Sequence, residues 1–426
     1  MVRKKQPHPS LLGTPQYERT FDHSGLTDED RRWITDSRNP KCPLSKFIGN
    51  EKALRRLSRA AYAAWGEPNH ECSDQSFALV GPSSTGKTTL ARLFGDTVLL
   101  PFVEVHPKAV KGPKNILEEI QLVLEKIKVF SRSLGKEITL QLVPNIDNHF
   151  VIPPLVLFID EVHALPKQTV QSLLKAIEPK DGKLATEEGW SADCRNICWV
   201  IATTDRGLLF DAFDTRFRKV YLNLYTREEI AEIVQLNNKD WPMSVCRIVA
   251  KYCWRVPREA LAFAKDMRTE YEIQSKRGRV DWEQVAAAVA QDSDIDPLGM
   301  TLQRLRILVA LGQQGAIPRD RLCHYAQCKV EELTKFLMPP LITATSNEPA
   351  LVAVTSKGYS ITRAGLEQLD ARGIPHPPEE KVVVMDIPPL DWGQYDPVDM
   401  GYGGSTGRGN AKVVKPKLWL PFGDKK

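Results

Sequence analysis

Residues 77–88 read FALVGPSSTGKT, and this stretch decides the fold. Its four leading apolar residues predict a short buried strand, and the pattern Gly-x-x-x-x-Gly-Lys-Thr over residues 81–88 predicts a loop that binds phosphate. The apolar spacing over residues 87–94 then predicts a helix. A chance match in a loop rich in glycine and serine is the alternative, but such a match would lack the flanking strand and helix. The stretch therefore predicts a nucleotide site of the P-loop type.

The residues of this loop have distinct predicted roles. Gly81 and Gly86 let the backbone approach phosphate oxygens closely, and the N–H groups at the start of the following helix favour negative charge. The ammonium group of Lys87 would neutralise charge on the β- and γ-phosphates of ATP, and the Thr88 hydroxyl would reach Mg²⁺. Thr89 is a further candidate contact to the nucleotide. ATP and Mg²⁺ are therefore the expected cofactors.

A second motif ends a strongly apolar run. Residues 155–161 read LVLFIDE, which predicts a strand buried on both faces with a carboxylate pair at its carboxyl end. In open α/β sheets ligands bind at that end of the strands. Asp160 would hold the Mg²⁺ shell, and Glu161 would polarise the attacking water. The alternative is an acidic helix cap, because Asp and Glu favour helix starts.

The composition of the chain restricts its class. A chain of 426 residues is too long for one compact core, and 42% hydrophobic with 26% charged residues is ordinary for a soluble globular protein. No apolar run reaches the length of a membrane span and no secretory signal is recognised, so a cytoplasmic protein is expected. The eight cysteines lack metal or redox spacing, which favours buried free thiols. A net charge of +5 permits a polyanionic partner without requiring one.

Strand-like runs and helical patterns alternate in the first half of the chain. This alternation predicts a parallel sheet with helices on both faces, interrupted by a surface insertion over residues 130–148. Helical patterns follow, and then helices with two strand candidates, Leu341–Ala344 and Leu351–Val354, which are typical of a winged helix. The predicted units are a largely mobile polar extension (1–40), a large α/β ATPase domain (41–225), a small helical lid domain (226–295), a winged-helix domain (296–376) and a Pro/Gly-rich tail (377–426).

Further motifs resemble those of a known family. The chain carries, in the order found in AAA+ ATPases, DEVHAL at residues 160–165, IATT at 201–204, TRF at 215–217 and VPR at 256–258. Within that class it most resembles the RuvB family of Holliday-junction branch-migration motors. Residues 47–51 are similar to the adenine-pocket segment of the family, and residues 336–342 and 358–364 are similar to its winged helix. The resemblance covers about residues 40–372.

The resemblance implies roles for several polar residues. Thr203 or Thr204 would be sensor 1, in contact with the γ-phosphate or the attacking water; a strand-end threonine satisfied by backbone is the alternative. Arg216 would be an arginine finger that reaches the site of a neighbouring subunit. A surface arginine is the alternative there, and Arg206 and Arg218 are close competitors.

Three other positions complete the implied site. Arg258 opens a helix of the lid and would be sensor 2, which reports the state of the nucleotide. Ile48 would lie in the adenine pocket, and Tyr225 would either flank the adenine or pack in the core. Because an arginine finger acts between subunits, the resemblance implies an oligomeric ring, expected to be a hexamer.

Two segments depart from the family pattern. Pro179–Asp193 should form a hairpin carrying Trp190, shorter than the hairpin with which RuvB holds its junction-binding partner. Trp190 would anchor a similar partner protein or pack against its own hairpin. The wing has Lys357 where the family has an arginine pair, with Arg363 nearby, so a weaker DNA surface is expected. DNA, as duplex or four-way junction, is the expected partner, and a solvated basic face is the alternative.

Two functions from different classes follow from these features. The first is an ATP-dependent DNA motor that translocates duplex or branched DNA in a ring, as in branch migration during recombination and repair. The second is a nucleotide-switched AAA+ DNA-binding or loader protein, initiator-like or transposition-associated, that assembles without translocation. The combination of a hydrolytic Glu161, two γ-phosphate sensors and a trans arginine favours the motor. Remodelling of protein partners is a third possibility, against which the winged helix argues.

Overall fold

The computed structural model describes residues 32–377, with short gaps. Outside the description are residues 33, 66–75, 99, 126–127, 132–135, 140–148, 179–181, 186–188, 190, 205–212, 214, 277, 279 and 346–347. The start of the predicted extension and nearly all of the predicted tail therefore lie outside the described residues. So do Trp190 and Arg206. Within the extension, Ile34 packs against the core and Thr35 is buried.

The largest sheet matches the predicted α/β class. The described strands are β1 (Phe77–Val80), β2 (Phe102–Val105), β3 (Lys128–Ser131), β4 (Lys136–Thr139), β5 (His149–Val151), β6 (Leu155–Ile159), β7 (Lys183–Ala185), β8 (Ser191–Asp193), β9 (Ile197–Thr203), β10 (Arg218–Tyr221), β11 (Val352–Thr355) and β12 (Gly358–Ile361). Five of these described strands pair in parallel in the order β10-β1-β9-β6-β2. Every residue of β1, β6 and β9 is buried, as expected for central strands covered on both faces.

Helices cover the sheet and build the rest of the described chain. They are α1 (Glu51–Trp65), α2 (Lys87–Val98), α3 (Pro113–Leu124), α4 (Lys167–Ala176), α5 (Arg227–Asn237), α6 (Met243–Tyr252), α7 (Pro257–Ser275), α8 (Trp282–Asp292), α9 (Leu302–Gln314), α10 (Arg319–Ala326), α11 (Val330–Glu332), α12 (Met338–Ile342) and α13 (Arg363–Asp370). A π-helical turn, Leu333–Leu337, joins α11 to α12.

Alternate residues of β1 enter two different cores, because successive side chains of a strand point to opposite faces. Phe77 and Leu79 pack with α1, α2 and the lid helices α5 to α8. Ala78 and Val80 pack with α3 and α4. The lid therefore extends the apolar core on one face of the sheet, and the carboxyl end of β1, where the phosphate loop begins, lies beneath it.

The winged-helix domain has its own core, formed by α9, α10, α12, β11, β12 and α13. Trp254, which follows the lid helix α6, is part of this core. Arg255 is 1% exposed at a φ of +60°. Its guanidinium donates to Glu348 Oε2 at 2.7 Å and to the Thr343 carbonyl at 2.5 Å. Buried polar contacts of this kind join the lid and the winged helix closely.

The predicted strand at Leu341–Ala344 is wrong. Residues Met338–Ile342 form α12, with proline in its first turn, and the strand that pairs with Val352–Thr355 is Gly358–Ile361. A short apolar run does not distinguish a strand from a buried helical turn, and the start of this run lies at the end of α12. The wing therefore turns at residues 356–357, which places Lys357 at the tip of the ribbon.

The predicted insertion and the predicted hairpin contain short ribbons in their described parts. Strands β3 and β4 are antiparallel within the insertion. Strands β7 and β8 are antiparallel at the base of the predicted hairpin, and β8 also pairs in parallel with β5. The seven cysteines of the described chain are free. Six of them are buried, which confirms the prediction of buried free thiols for those six, and Cys328 is partly exposed. No helix among the described residues is long and apolar enough to cross a membrane.

Candidate nucleotide-binding site

The backbone of the phosphate loop requires its two glycines. Gly86 has a φ of +81°, and a Cβ there would lie 2.9 Å from Phe47 Cε2. A Cβ on Gly81 would lie 2.5 Å from the Leu222 carbonyl oxygen. Ser84 also has a positive φ, +64°, a conformation that is strained for any residue with a Cβ. Neighbouring ring and backbone atoms therefore leave no room for a side chain at Gly81 or Gly86.

Lys87 is buried at the centre of the loop. Its side chain is 6% exposed, and its Nζ donates to the carbonyls of Gly81 and Pro82 at 2.9 Å each. Burial lowers the pKa of this ammonium group, and the negative charges of Glu161 and Asp160 partly offset that effect. A buried cation held by two neutral carbonyls suits an anion as its partner, so the position fits a phosphate.

The carboxylate pair, Asp160 and Glu161, directly follows β6 and is close enough to Lys87 for their charges to interact. Burial raises the pKa of Asp160, and the adjacent charge of Glu161 raises it further. A cation placed here would favour the ionised form of Asp160, and carboxylate and hydroxyl oxygens are ligands that Mg²⁺ prefers. Thr88, next to Lys87, is partly buried and supplies a hydroxyl. These oxygen ligands therefore fit Mg²⁺. Thr89, the further candidate contact to the nucleotide, is exposed.

Glu161 is oriented by groups at the end of the neighbouring strand β9. It adopts a φ of +46°, and its Oε2 accepts hydrogen bonds from the Thr204 N–H at 3.2 Å and from the Thr204 hydroxyl at 3.0 Å. His163 Nδ1 lies 3.4 Å from the same oxygen and 3.1 Å from Thr203 Oγ1. Both sensor-1 candidates thus lie beside the carboxylate, one in direct contact and the other through His163. His163 belongs to the DEVHAL motif, but the motif alone indicates no role for it.

The predicted adenine segment is hydrogen-bonded to the residues between β10 and the lid. Asn50 Nδ2 donates to the Asn223 carbonyl at 3.2 Å, and the Asn223 N–H donates to Asn50 Oδ1 at 2.7 Å. Ile48 is partly exposed beside this contact. Tyr225 is only 2% exposed, and its hydroxyl donates to the Thr85 carbonyl at 2.9 Å. Tyr225 therefore packs in the core next to the loop, as the second alternative has it, and its contact with adenine stays a prediction.

The two predicted arginines lie at different places. Arg216 is on the surface before β10, where its Nε and Nη2 donate to Glu178 Oε1 at 2.9 and 2.6 Å. Arg258 is exposed in the first turn of the lid helix α7. A cation in the first turn of a helix is disfavoured by the helix dipole, so an anion near Arg258 would be stabilised on both counts.

The predicted DNA residues lie on the winged helix. Lys357 is exposed at the tip of the β11–β12 ribbon. Arg363 is exposed at the start of α13, and its Nε lies 3.5 Å from Glu367 Oε1. Both side chains are accessible, and the acidic neighbour reduces the positive charge at Arg363.

The fold and the grouping of Lys87, Asp160, Glu161 and Thr204 at the carboxyl edge of the sheet define an ATPase of the AAA+ class. The family model described as "ATPase family associated with various cellular activities (AAA)" matches residues 77–224. Over a longer span the chain is similar to RuvB. It is 26% identical to the Holliday junction branch migration complex subunit RuvB of Synechococcus sp. (strain WH7803) over 358 residues, which covers 81% of this chain and 87% of that protein.

Other comparisons agree with this likeness. RuvB of Thermotoga petrophila is 25% identical over 332 residues, covering 74% of this chain and 89% of that protein. The solved structure of the Thermotoga maritima RuvB Holliday junction branch migration motor has a TM-score of 0.58 at 22% identity and covers 78% of this chain and 98% of that one. At that identity the structural likeness shows the fold alone.

Proposed function

We propose that the chain is a subunit of a ring-forming DNA motor, which hydrolyses ATP to translocate duplex or branched DNA. The observation that carries this proposal is the extent of the similarity to RuvB, which covers 81% of the chain and so extends beyond the ATPase and lid domains into the winged helix. The name of those relatives, Holliday junction branch migration complex subunit, supports a four-way junction as the substrate.

The nucleotide site of the proposed motor is built from the loop and the carboxylate pair. Lys87 would exchange the Gly81 and Pro82 carbonyls for the phosphate oxygens of ATP, which compensate its buried charge. Thr88 and Asp160 would hold Mg²⁺, which spreads the negative charge of the phosphates. Ile48, which is partly exposed, would line the base pocket. The raised pKa of Asp160 supports a cation at this place.

Hydrolysis requires Glu161 to orient a water molecule. The Thr204 hydroxyl and N–H hold one oxygen of that carboxylate, which leaves the other oxygen available to accept a proton from water. Thr203, buried at the end of β9, is placed by His163. We assign sensor 1 to this pair, with Thr204 orienting the carboxylate.

A neighbouring subunit would complete the site. Arg216 is the proposed trans arginine, and its exposed pair with Glu178 would be exchanged for the γ-phosphate of the adjacent protomer. Arg258 would contact the nucleotide from the lid of the same subunit. A site shared in this way requires a closed ring, for which a hexamer is the proposed number. The predicted hairpin, whose base is β7 and β8, remains the proposed docking site for a junction-binding partner protein.

The motor proposal is tested by comparing DNA substrates. ATPase rates are measured with a four-way junction, linear duplex and single-stranded DNA, and branch migration is followed on a labelled junction. We expect the junction or the duplex to raise the ATPase rate. We also expect branch migration to convert the labelled junction into duplex products. Glu161→Gln should bind ATP but neither hydrolyse it nor move the junction. Assembly on DNA that survives Glu161→Gln, with no strand displaced by the wild-type protein, would establish a nucleotide-switched loader instead.

The DNA surface has a separate test. Replacing Lys357 by Ala should weaken binding to all sequences alike and reduce the salt slope by about one unit, because a phosphate contact releases about one counterion. Lys329, an exposed lysine at the start of α11, is the matched control for a general change of charge. Equal losses for the two variants would remove Lys357 from the DNA surface.

A further inference from the structure

A small cleft lies between the phosphate loop and the winged-helix domain. One wall is formed by Ser83 and Ser84 of the loop, the lid contributes Glu259, and the opposite wall is formed by Lys335 and Phe336. The winged helix, predicted as a DNA-binding unit, therefore also borders the nucleotide site. No sequence motif pointed to this contact, because it joins residues about 250 positions apart in three different units.

Lys335 is presented to the cleft by the π-helical turn Leu333–Leu337. The two ends of the turn are anchored, since Leu333 is fully buried and Leu337 is 6% exposed in the winged-helix core. Between them, Lys335 is partly exposed and Phe336 is 45% exposed. Turns of this kind are rare and occur frequently at functional sites. Here the turn gives a well-anchored backbone whose middle residues project from the core.

The charges around the cleft leave Lys335 uncompensated. Glu259 is the carboxylate of the cleft, and it is already paired with Arg304, whose Nη1 and Nη2 donate to it at 3.0 and 2.7 Å. Arg304 is only 1% exposed, so this pair is fixed. Within the described chain the Lys335 ammonium has no ion pair. A positive charge thus faces the loop that surrounds the phosphates, and such a charge attracts an anion.

We propose that Lys335 binds the phosphate chain of the nucleotide from the side opposite to the loop, so that the winged helix contacts ATP directly. Lys87 lies within the loop and Arg258 lies at the start of α7, and Lys335 would add a third cation from a third unit. The inference rests on the proposed function only in that the site binds ATP. It gives the winged helix a means of sensing the nucleotide without passing through the lid.

The experiment measures binding of Mg²⁺ and a fluorescent ATPγS to the full-length protein, without DNA, at low and moderate salt. Lys335→Gln removes the charge and keeps the stem, Lys335→Arg keeps the charge, and Lys329→Gln is a matched control on the same domain. We expect Lys335→Gln to weaken binding about threefold to tenfold at low salt, with a smaller loss at moderate salt. Lys335→Arg and Lys329→Gln should stay within about twofold of wild type.

Two results would overturn the inference: Lys335→Gln binding within about twofold of wild type at both salt concentrations, or an equal loss for Lys329→Gln. Thermal unfolding without nucleotide should be unchanged for all three variants, because both lysines keep access to solvent. A failure of the motor proposal can be distinguished from a failure of this inference. A protein that moves no junction but loses ATPγS affinity in Lys335→Gln retains the inference, and one that moves junctions with unaltered affinity in this variant refutes it.

Discussion

The ion pair between Arg304 and Glu259 predicts that its two partners differ in what their removal costs. Arg304 lies on α9 of the winged-helix domain with its side chain 1% exposed, whereas the Glu259 side chain, on the lid helix α7, is 40% exposed. Arg304 also donates to the Phe336 carbonyl at 3.4 Å, and its Nε is buried without a described acceptor. The two partners therefore depend on each other to different degrees.

The magnitudes follow from which charge is left behind. In Glu259→Ala the guanidinium stays buried with one weak acceptor, and leaving a buried charge unpaired costs about 3–5 kcal/mol. In Arg304→Met the remaining carboxylate is reached by water, so the loss is about 1 kcal/mol, as for a partly exposed pair. The methionine also removes the unsatisfied Nε and keeps the apolar stem. We expect Glu259→Ala to be less stable than Arg304→Met by about 2 kcal/mol or more.

Urea unfolding of the two variants and the wild type, followed by fluorescence, measures this difference. The exposed pair of Arg363 and Glu367 is the control, because both side chains are about two-thirds exposed. Alanine at either control position should change the free energy of unfolding by less than about 0.5 kcal/mol. Equal destabilisation by Glu259→Ala and Arg304→Met, or a larger effect of Arg304→Met, would refute the reasoning from burial.

Three other predictions concern the nucleotide site. Because the pKa of Asp160 is raised in the folded protein, its ionisation opposes folding, and this cost is present above the folded pKa and disappears as the pH falls through it. Asp160→Asn should therefore stabilise the nucleotide-free protein by about 1 kcal/mol at pH 7.5, measured as a higher melting temperature, with a smaller gain at pH 5. A gain that grows as the pH falls would contradict the raised pKa of Asp160. Ser84→Gly should stabilise the protein relative to Ser83→Gly by about 1 kcal/mol, since only Ser84 has a positive φ, and equal unfolding midpoints would disprove strain at this residue. Arg216→Ala subunits should reduce the ATPase activity of mixed rings more than in proportion to their fraction, whereas Glu178→Gln, which removes the carboxylate paired with the arginine, should not; a proportional loss excludes a trans role.

Local sequence pattern was sufficient for the central strands. The strands predicted from FALV at residues 77–80 and from the apolar part of LVLFIDE coincide with β1 and β6, because a strand buried on both faces is apolar throughout and its ends are marked by polar or glycine residues. Asp160 and Glu161 follow such an apolar run, so the pattern also predicts that they lie at the carboxyl edge of the sheet. The position of these proposed catalytic groups depends on the strand that precedes them, so the same pattern predicts it.

Contacts between distant segments could not be predicted in this way. Thr204 and Glu161 meet because β9 lies beside β6, and nothing local indicates that His163 would lie between Thr203 and the carboxylate. The burial of Arg255 and Arg304 could not be predicted either, because arginine is usually exposed and both side chains are buried only where the lid meets the winged helix. Leu341–Ala344 failed for a different reason, because a run of four apolar residues fits either a strand or a helical turn.

The first turn of α7 connects the nucleotide site to the winged helix. Arg258, the proposed sensor 2, is exposed there, and the next residue, Glu259, is held by the buried Arg304. Arg304 in turn bonds to the carbonyl of Phe336, in the same π-helical turn that carries Lys335. A displacement of α7 by the nucleotide would have to move this turn with it, because separating them leaves a buried guanidinium without its carboxylate. We therefore expect the lid and the winged helix to move as one body relative to the sheet, so that the nucleotide state at the loop sets the position of the wing.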